Sequence, residues 1–273
     1  MPSSATDAEN PPSPARSGSE ITAVMHAILA LQCVGTQEEE LGVNEIARRI
    51  GVHKSTASRL LATLESAAFV ARNPETGRFN LGIGLVSLVS PFLAQLEVVK
   101  AARPVLSHLA LDLGETASLG LWTGAEVVMV EQTQGSRPIG QVAHAGGRLA
   151  AHSTAAGKIL LANLPDEELD AFFAHPLHAE TECTRTSREA LLPELMTARQ
   201  TGYALNIEEH QAETCGIATL IRNAAGHPAA ALTLSIPRHR FDLMRQTELA
   251  RRMQRDALEI SRRLGWVERA FTL

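Results

Sequence analysis

Residues 41–82 read LGVNEIARRIGVHKSTASRLLATLESAAFVARNPETGRFNLG, and this stretch decides the N-terminal fold. Val43, Ile46, Ala47 and Ile50 share one face at helical spacing, and Ala57, Leu60, Leu61 and Leu64 make a second apolar stripe. Between them lies Gly51, a residue that takes positive φ without cost, four positions after the small Ala47, where two crossing helices touch. That is the grammar of a helix-turn-helix. Lys54, Ser55, Thr56, Ser58 and Arg59 fall on the outer, N-terminal part of the second helix, where a recognition helix presents donors and acceptors to the major groove. Phe69–Arg72 and Arg78–Leu81 read as short strands around Asn-Pro-Glu-Thr-Gly, a hairpin or wing with Arg72 and Arg78 placed to reach phosphate. The acidic run Glu38–Glu40 falls in the loop before this unit and is expected to point away from DNA. The competing reading is a protein-interaction module whose arginines form a solvated face.

Working outward, residues 22–35 place Val24, Ala27, Ile28 and Leu31 on one helical stripe that stops at Gly35. Residues 1–19, rich in Ser, Pro and Ala, read as a disordered tail. The apolar run 84–98 predicts a connecting helix, broken or kinked at Pro91, whose exposed face is expected to bury against a second copy. Residues 101–114 read as a further helix. Strands follow at 115–124 and 126–135, an irregular segment at 137–151, helices at 166–174 and 188–201, strands at 203–207, 216–223 and 229–235, and a last helix near 240–264. The fold class is therefore α+β with two domains: a winged helix-turn-helix over 20–82, a connecting helix over 83–100, and an α/β domain over 101–267 that is large enough to enclose a metabolite pocket.

Composition narrows the class. The chain has 273 residues, a formal charge of −5 and 45% hydrophobic residues. The net charge excludes a generally basic nucleic-acid coat but not sequence-specific docking, which needs only a positive docking face. No apolar run approaches the roughly 20 residues of a membrane span, and no signal-peptide core is visible, so a cytoplasmic protein with no membrane partner is expected. Cys33, Cys183 and Cys215 are scattered and odd in number, as expected of reduced thiols.

Catalytic signatures are absent: no GxSxG, HExxH or phosphate-binding glycine loop occurs. His175 and His178 straddle Pro176 with no third ligand nearby in sequence, and Gly82-Ile83-Gly84 is a fragment of a dinucleotide motif. Glu208-Glu209-His210 offers acid and base groups but reads more simply as a charged loop. No catalytic residue, metal site or cofactor is assigned. The alternative to a regulator is a hydrolytic α/β enzyme with an accessory helical domain.

The KST..RLL.TLE core, the GRFNLG wing exit, HSTAAGKILL at 152–161 and GYALNIEEHQAETCGIATLIRNAAGHPAAALTLSIP at 202–237 together resemble the IclR family of bacterial regulators from about residue 20 to 265. The resemblance implies a winged helix-turn-helix, a connecting helix and a GAF-like effector domain. It also implies a homo-oligomer, dimer or tetramer, on a palindromic double-stranded operator, responsive to a small organic acid or aromatic metabolite. By the same resemblance the effector pocket falls on Thr154, Ala155, Ala156, Asn206, Gly216, Thr233 and Ser235. Thr154–Gly157 opens a helix, whose unpaired N–H groups suit an anion, the competing reading being a plain N-cap. Relatives sensing 2-oxo acids carry Asp where this chain has Asn206 and Cys where it has Gly216, which points to a bulkier or more anionic ligand. Trp122, Met129 and Leu149 are candidate apolar walls.

Overall fold

The computed structural model describes residues 21–35, 39–137, 146–242 and 246–267, with the side chains of 91–95 left aside. The expected tail, residues 1–19, lies outside them. The chain divides into two compact units, Met1–Pro91 and Phe92–Leu273.

The first unit holds α1 (Thr22–Gly35), α2 (Val43–Arg49), α3 (Lys54–Ser66), β1 (Val70–Arg72) and β2 (Phe79–Leu81). Its core is Ala30, Val34, Leu41, Ile46, Leu61, Leu64, Val70 and Phe79. The turn between α2 and α3 needs Gly51 for its backbone (φ 70°), since a Cβ there would meet nothing. His53 caps α3: its ring accepts from the Ser55 amide at 3.4 Å and lies 2.9 Å from Ser55 Oγ. Gly82 is required for a different reason, because a Cβ would sit 2.1 Å from the Ala68 carbonyl oxygen where the wing exit crosses the end of α3.

One expectation for this unit is corrected. Val24 and Ile28 lie outside the core, at 54% and 44% exposure; Ala30 and Val34 fill it instead, with Ala27 and Leu31 partly buried against them. A helix this rich in apolar residues offers more than one stripe, and packing selects among them. Glu40, from the acidic run before α2, is tied to the wing. Its carboxylate accepts from Asn73 Nδ2 (2.6 Å), Thr76 Oγ1 (2.7 Å) and Asn80 Nδ2 (3.1 Å).

The helix α4 (Gly84–Gln95) runs through Pro91 without a break, and the chain turns at Leu96 (φ −63°, ψ 103°) before α5 (Glu97–Leu113). On an exposed helix, water can serve the carbonyl that proline leaves without a donor. The expected boundary at residue 100/101 thus falls inside one continuous helix.

The second unit is a six-stranded sheet in the order β5-β4-β3-β8-β7-β6, with every strand pair antiparallel. The strands are β3 (Thr116–Trp122), β4 (Glu126–Thr133), β5 (Arg148–Ala150), β6 (Tyr203–Ile207), β7 (Thr214–Arg222) and β8 (Pro228–Pro237). Short turns make β3–β4 and β6–β7–β8 sequential, whereas β5 and β6, at opposite edges, are joined by α6 (Ala155–Leu161), α7 (Asp166–Phe173) and α8 (Arg188–Thr201). One sheet face packs on α5 and α9 (Gln246–Arg263) through Leu106, Leu109, Leu119, Ile217, Leu232, Met253 and Ile260. The other packs on α6–α8 through Ile159, Leu160, Leu191, Leu195, Ala218 and Ala231. Period-two alternation along β7 and β8 sends side chains to both faces, so both are covered. The strand β5 falls inside the segment expected to be irregular.

Candidate functional site

In the first unit, α3 carries Lys54, Ser55, Thr56, Ser58 and Arg59 on its exposed side, while Ala57, Leu61 and Leu64 turn inward. A concave surface gathers Gly42, Val43, Asn44 and Glu45 from the start of α2, Lys54 and Ser58 from α3, and Arg72 and Arg78 from the wing. Ser55, Thr56 and Arg59 lie outside that concavity on the same helix, and Ser55 Oγ is engaged by His53.

The wing is fixed rather than loose. Asn73 Oδ1 accepts from the amides of Glu75 and Thr76, and the Asn73 amide donates to the Arg78 carbonyl at 2.8 Å. Leu41 exchanges backbone hydrogen bonds with Phe79 at 3.1 and 2.8 Å, an isolated bridge that ties the segment before α2 to the hairpin. Arg72 lies over the Phe79 ring at 5.8 Å and donates to the Gly77 carbonyl; Arg78 Nη1 donates to the Glu40 carbonyl at 3.0 Å. Each guanidinium keeps further N–H groups for another partner. The hydrogen bond from Asn73, joined by those from Thr76 and Asn80, holds the Glu40 carboxyl below the ordinary carboxylate range.

In the second unit, Asn206, Gly216, Ser235 and Thr116 form one cross-strand row, since Asn206 pairs Gly216, Gly216 pairs Ser235 and Ser235 pairs Thr116. Thr233 lies two residues along from Ser235 on the same face, opposite Ser118. The first turn of α6 lies over this row, and between them is a cavity of about 80 Å³. Thr154, Ala155, Ala156, Asn206, Gly216, Thr233 and Ser235 all line it, together with Met129 and Leu149. Trp122 does not; its ring packs against Phe172, centroids 6.1 Å apart.

The cavity is small and polar on its sheet side. Thr233 is 7% exposed and its Oγ1 has no hydrogen-bond partner. Buried hydroxyls are ordinarily satisfied, so an orphan in a cavity wall marks a place for a ligand group or water. A Cβ at Gly216 would stand 3.4 Å from Ala155 Cβ and 3.7 Å from Asn206 Cβ, in ordinary van der Waals contact with both. The helix argument is weaker than its sequence implies. Thr154 is the N-cap, with Oγ1 accepting from the Gly157 amide at 3.2 Å, and α6 has only 7 residues to build a dipole.

Beside the cavity, Lys158 of α6 is 2% exposed, with Nζ 2.7 and 2.9 Å from the Glu209 carboxylate and 2.7 Å from Glu194 of α8. The Glu209 amide donates to Asn206 Oδ1 at 2.8 Å, which fixes the cavity-lining amide. Burial pushes the Glu209 carboxyl above the ordinary range despite Lys158. For Glu194 burial acts upward too, but the hydrogen bond and charge of Lys158, with Arg185, outweigh it and hold that carboxyl low. Sequence reading missed this cluster because its members lie 36 and 51 positions apart. Cys215 also lines the cavity, and burial raises its thiol to about 11, so it is not a reactive thiolate. Among the described residues no cluster of three or more His, Cys, Asp or Glu suited to a metal is found. No described helix is long and apolar enough to cross a membrane.

Comparison with known proteins places this geometry. The family model described as the IclR helix-turn-helix domain matches residues 23–74, and that of the bacterial transcriptional regulator IclR C-terminal domain matches residues 91–262. The HTH-type transcriptional regulator XynR of Escherichia coli (strain K12) is 32% identical over 247 residues, covering 90% of this chain and 98% of that protein. A crystal structure of a putative IclR transcriptional regulator from Silicibacter sp. TM1040 is similar with a TM-score of 0.78 and 27% identity, over 90% of this chain and 97% of that one. An IclR homologue from Microbacterium hydrocarbonoxydans, crystallised with 4-hydroxybenzoate, shares the fold (TM-score 0.76, 24% identity, 89% and 98% covered). The chain thus carries both halves of a DNA-binding transcriptional regulator, not an enzyme, and it belongs to the IclR family.

Proposed function

We propose that this regulator binds a palindromic operator as a homo-oligomer and that a small carboxylic acid, seated in the cavity under α6, shifts its DNA affinity. The observation that carries the reading is the cavity itself: a small, polar-floored space with an unpaired, buried Thr233 hydroxyl. An engineered apolar cavity of about 150 Å³ holds benzene. At about 80 Å³ this one suits an aliphatic acid of a few carbons, and an aromatic acid would have to push the walls apart. The 4-hydroxybenzoate bound by the Microbacterium protein supports the carboxylic-acid class.

On the DNA side, Lys54, Ser55, Thr56, Ser58 and Arg59 of α3 read the major groove, and the remaining N–H groups of Arg72 and Arg78 take phosphate. Arg59→Ala is expected to lower operator affinity by about 1–3 kcal/mol and relax selectivity at one base pair. Arg78→Ala is expected to weaken all sequences alike and to flatten the salt dependence. Fluorescence anisotropy with operator and scrambled duplexes separates the two; unchanged affinity in both variants removes this face from the DNA interface.

The oligomer reading rests on an apolar surface. Ile21, Val24, Met25, Ile28 and Leu29 at α1, and Ile83, Val86, Leu88 and Val89 at α4, are exposed in the single chain. So large an apolar surface on a monomer is a liability that a second copy would relieve. A paired Ile28→Asp, Val86→Asp variant is expected to run at the monomer mass by light scattering and to lose operator affinity; an unchanged mass rejects this interface. Selection of genomic fragments by the purified protein at about 0.15 M salt, where non-specific phosphate attraction is screened, tests the operator itself. Recovery of a palindrome supports the reading, and recovery of nothing above background counts against it.

A further inference from the structure

The cavity lining includes hydroxyls, an asparagine, alanines and a glycine, but no Asp, Glu, Lys or Arg. His210 is the one lining side chain among the described residues that can become positively charged, and it holds a defined position. Its Nδ1 contacts Glu180 Oε2 and lies 3.4 Å from Ser153 Oγ, while Ser153 Oγ donates to the same carboxylate oxygen at 3.0 Å. Ser153 and His210, 57 positions apart in sequence, thus converge on one carboxylate oxygen of Glu180.

The arrangement is not that of a hydrolytic triad. Serine and carboxylate meet the same ring nitrogen, so no base stands free to activate the serine. It is instead a means of fixing a ring. A proton on Nδ1 is the one the Glu180 carboxylate accepts a hydrogen bond from, which favours that tautomer and leaves Nε2 for a further partner. The loop carrying His210 is tied down as well: Thr184 Oγ1 donates to the Glu209 carbonyl at 2.6 Å, Thr181 Oγ1 to that of Glu208 at 2.7 Å, and the Glu209 side chain grips Lys158. Glu208 and Glu213 take left-handed φ of 58° and 60° at its two ends. Strain of that kind persists where the surroundings enforce it.

We propose that protonated His210, oriented by Glu180 and Ser153, is the counter-charge for an anionic effector in this cavity, so that effector binding takes up a proton. The inference rests on the cavity reading above and adds the charge state of its ligand. Asn206 contributes no negative charge, and the imidazolium faces no carboxylate across the lining. The other titratable groups around His210 are committed elsewhere. Glu209 pairs with Lys158, Glu208 with Arg238, and His152 Nε2 lies 2.8 Å from the His178 carbonyl oxygen. The Glu208 carboxylate also accepts from the amide of Glu213. Cys215 stays a neutral thiol at any pH of interest. Glu180 is the acid that faces His210 directly.

The test is calorimetric titration of the full chain with pyruvate and with 4-hydroxybenzoate, from pH 5.5 to 8.5, in two buffers of different ionisation enthalpy. Affinity of the bound probe is expected to fall with rising pH by at most about tenfold per unit, with up to one proton taken up per ligand. In His210→Gln the pH dependence and the proton uptake disappear. In Glu180→Gln the ring loses the carboxylate that orients it, and the affinity of the bound probe is expected to fall toward that of His210→Gln; a merely structural role would leave probe affinity unchanged. Thermal unfolding of each variant confirms folding. A wild-type affinity that is flat with pH, or a His210→Gln profile identical to wild type, overturns the proposal and leaves the cavity reading intact. No saturable binding of either probe to wild type overturns both.

Discussion

Lys158→Met is expected to destabilise the second unit by about 3–5 kcal/mol, a fall in Tm of roughly 6–20 °C. The side chain is of similar length, so packing is nearly kept and the loss is electrostatic. Lys158 is buried at 2% exposure between Glu209, itself 5% exposed, and the half-exposed Glu194. Removing the ammonium strands the Glu209 carboxylate inside the protein, where it must be ionised without a partner or bind a proton. The expected rescue follows from the same argument: Glu209→Gln added to Lys158→Met removes the stranded charge and recovers part of the loss. Circular-dichroism melts of the two variants decide the matter. A Lys158→Met melt within about 1 kcal/mol of wild type shows that the cluster contributes little, as exposed pairs do.

The second large effect is expected from filling the cavity. Gly216→Val places a branched side chain where a Cβ alone would already stand 3.4 Å from Ala155. Its backbone is an ordinary strand position, paired with Asn206 and Ser235, which valine accepts. Overpacking of this kind costs about 1–3 kcal/mol. A ligand that must displace the new methyl groups as well is expected to bind at least roughly 100-fold more weakly. The variant should therefore keep its fold and lose its ligand. Calorimetry with pyruvate gives the affinity, and retained wild-type binding would place the effector elsewhere.

How much of this was legible in the sequence depends on how local each feature is. The helix-turn-helix was readable because its signals lie within a turn or two: Ala47 and Gly51 at the crossing, Ala57, Leu61 and Leu64 at helical spacing, and Asn73 to Gly77 at the wing tip. The strands Tyr203–Ile207, Thr214–Arg222 and Pro228–Pro237 announced themselves as short, largely apolar stretches between turn residues. The short Arg148–Ala150 strand did not, since three residues in a Gly-rich segment carry no period and pair only at β4.

Other features depend on partners far along the chain. Glu40 joins the wing through residues 33 to 40 positions away, so its run of acids looked like a solvated loop. The stripe of α1 containing Val24 and Ile28 is apolar enough for a core, and only the fold shows that Ala30 and Val34 take that place. The cavity-lining set came from family resemblance, not from composition. The register that brings Asn206, Gly216 and Ser235 side by side depends on how three strands pair. Glu208-Glu209-His210 reads in sequence as one charged loop. In the structure its members separate, with Glu208 to Arg238, Glu209 to Lys158 and His210 to Glu180.

The most direct test of the central claim, that a carboxylic acid in this cavity controls DNA binding, is anisotropy of a labelled operator complex titrated with pyruvate. The account expects operator affinity to shift with wild-type protein, by the ratio of the acid's affinities for the DNA-competent and incompetent states, and to stay fixed with Gly216→Val. An equal shift in both proteins, or a shift in neither across pyruvate and 4-hydroxybenzoate, would contradict it.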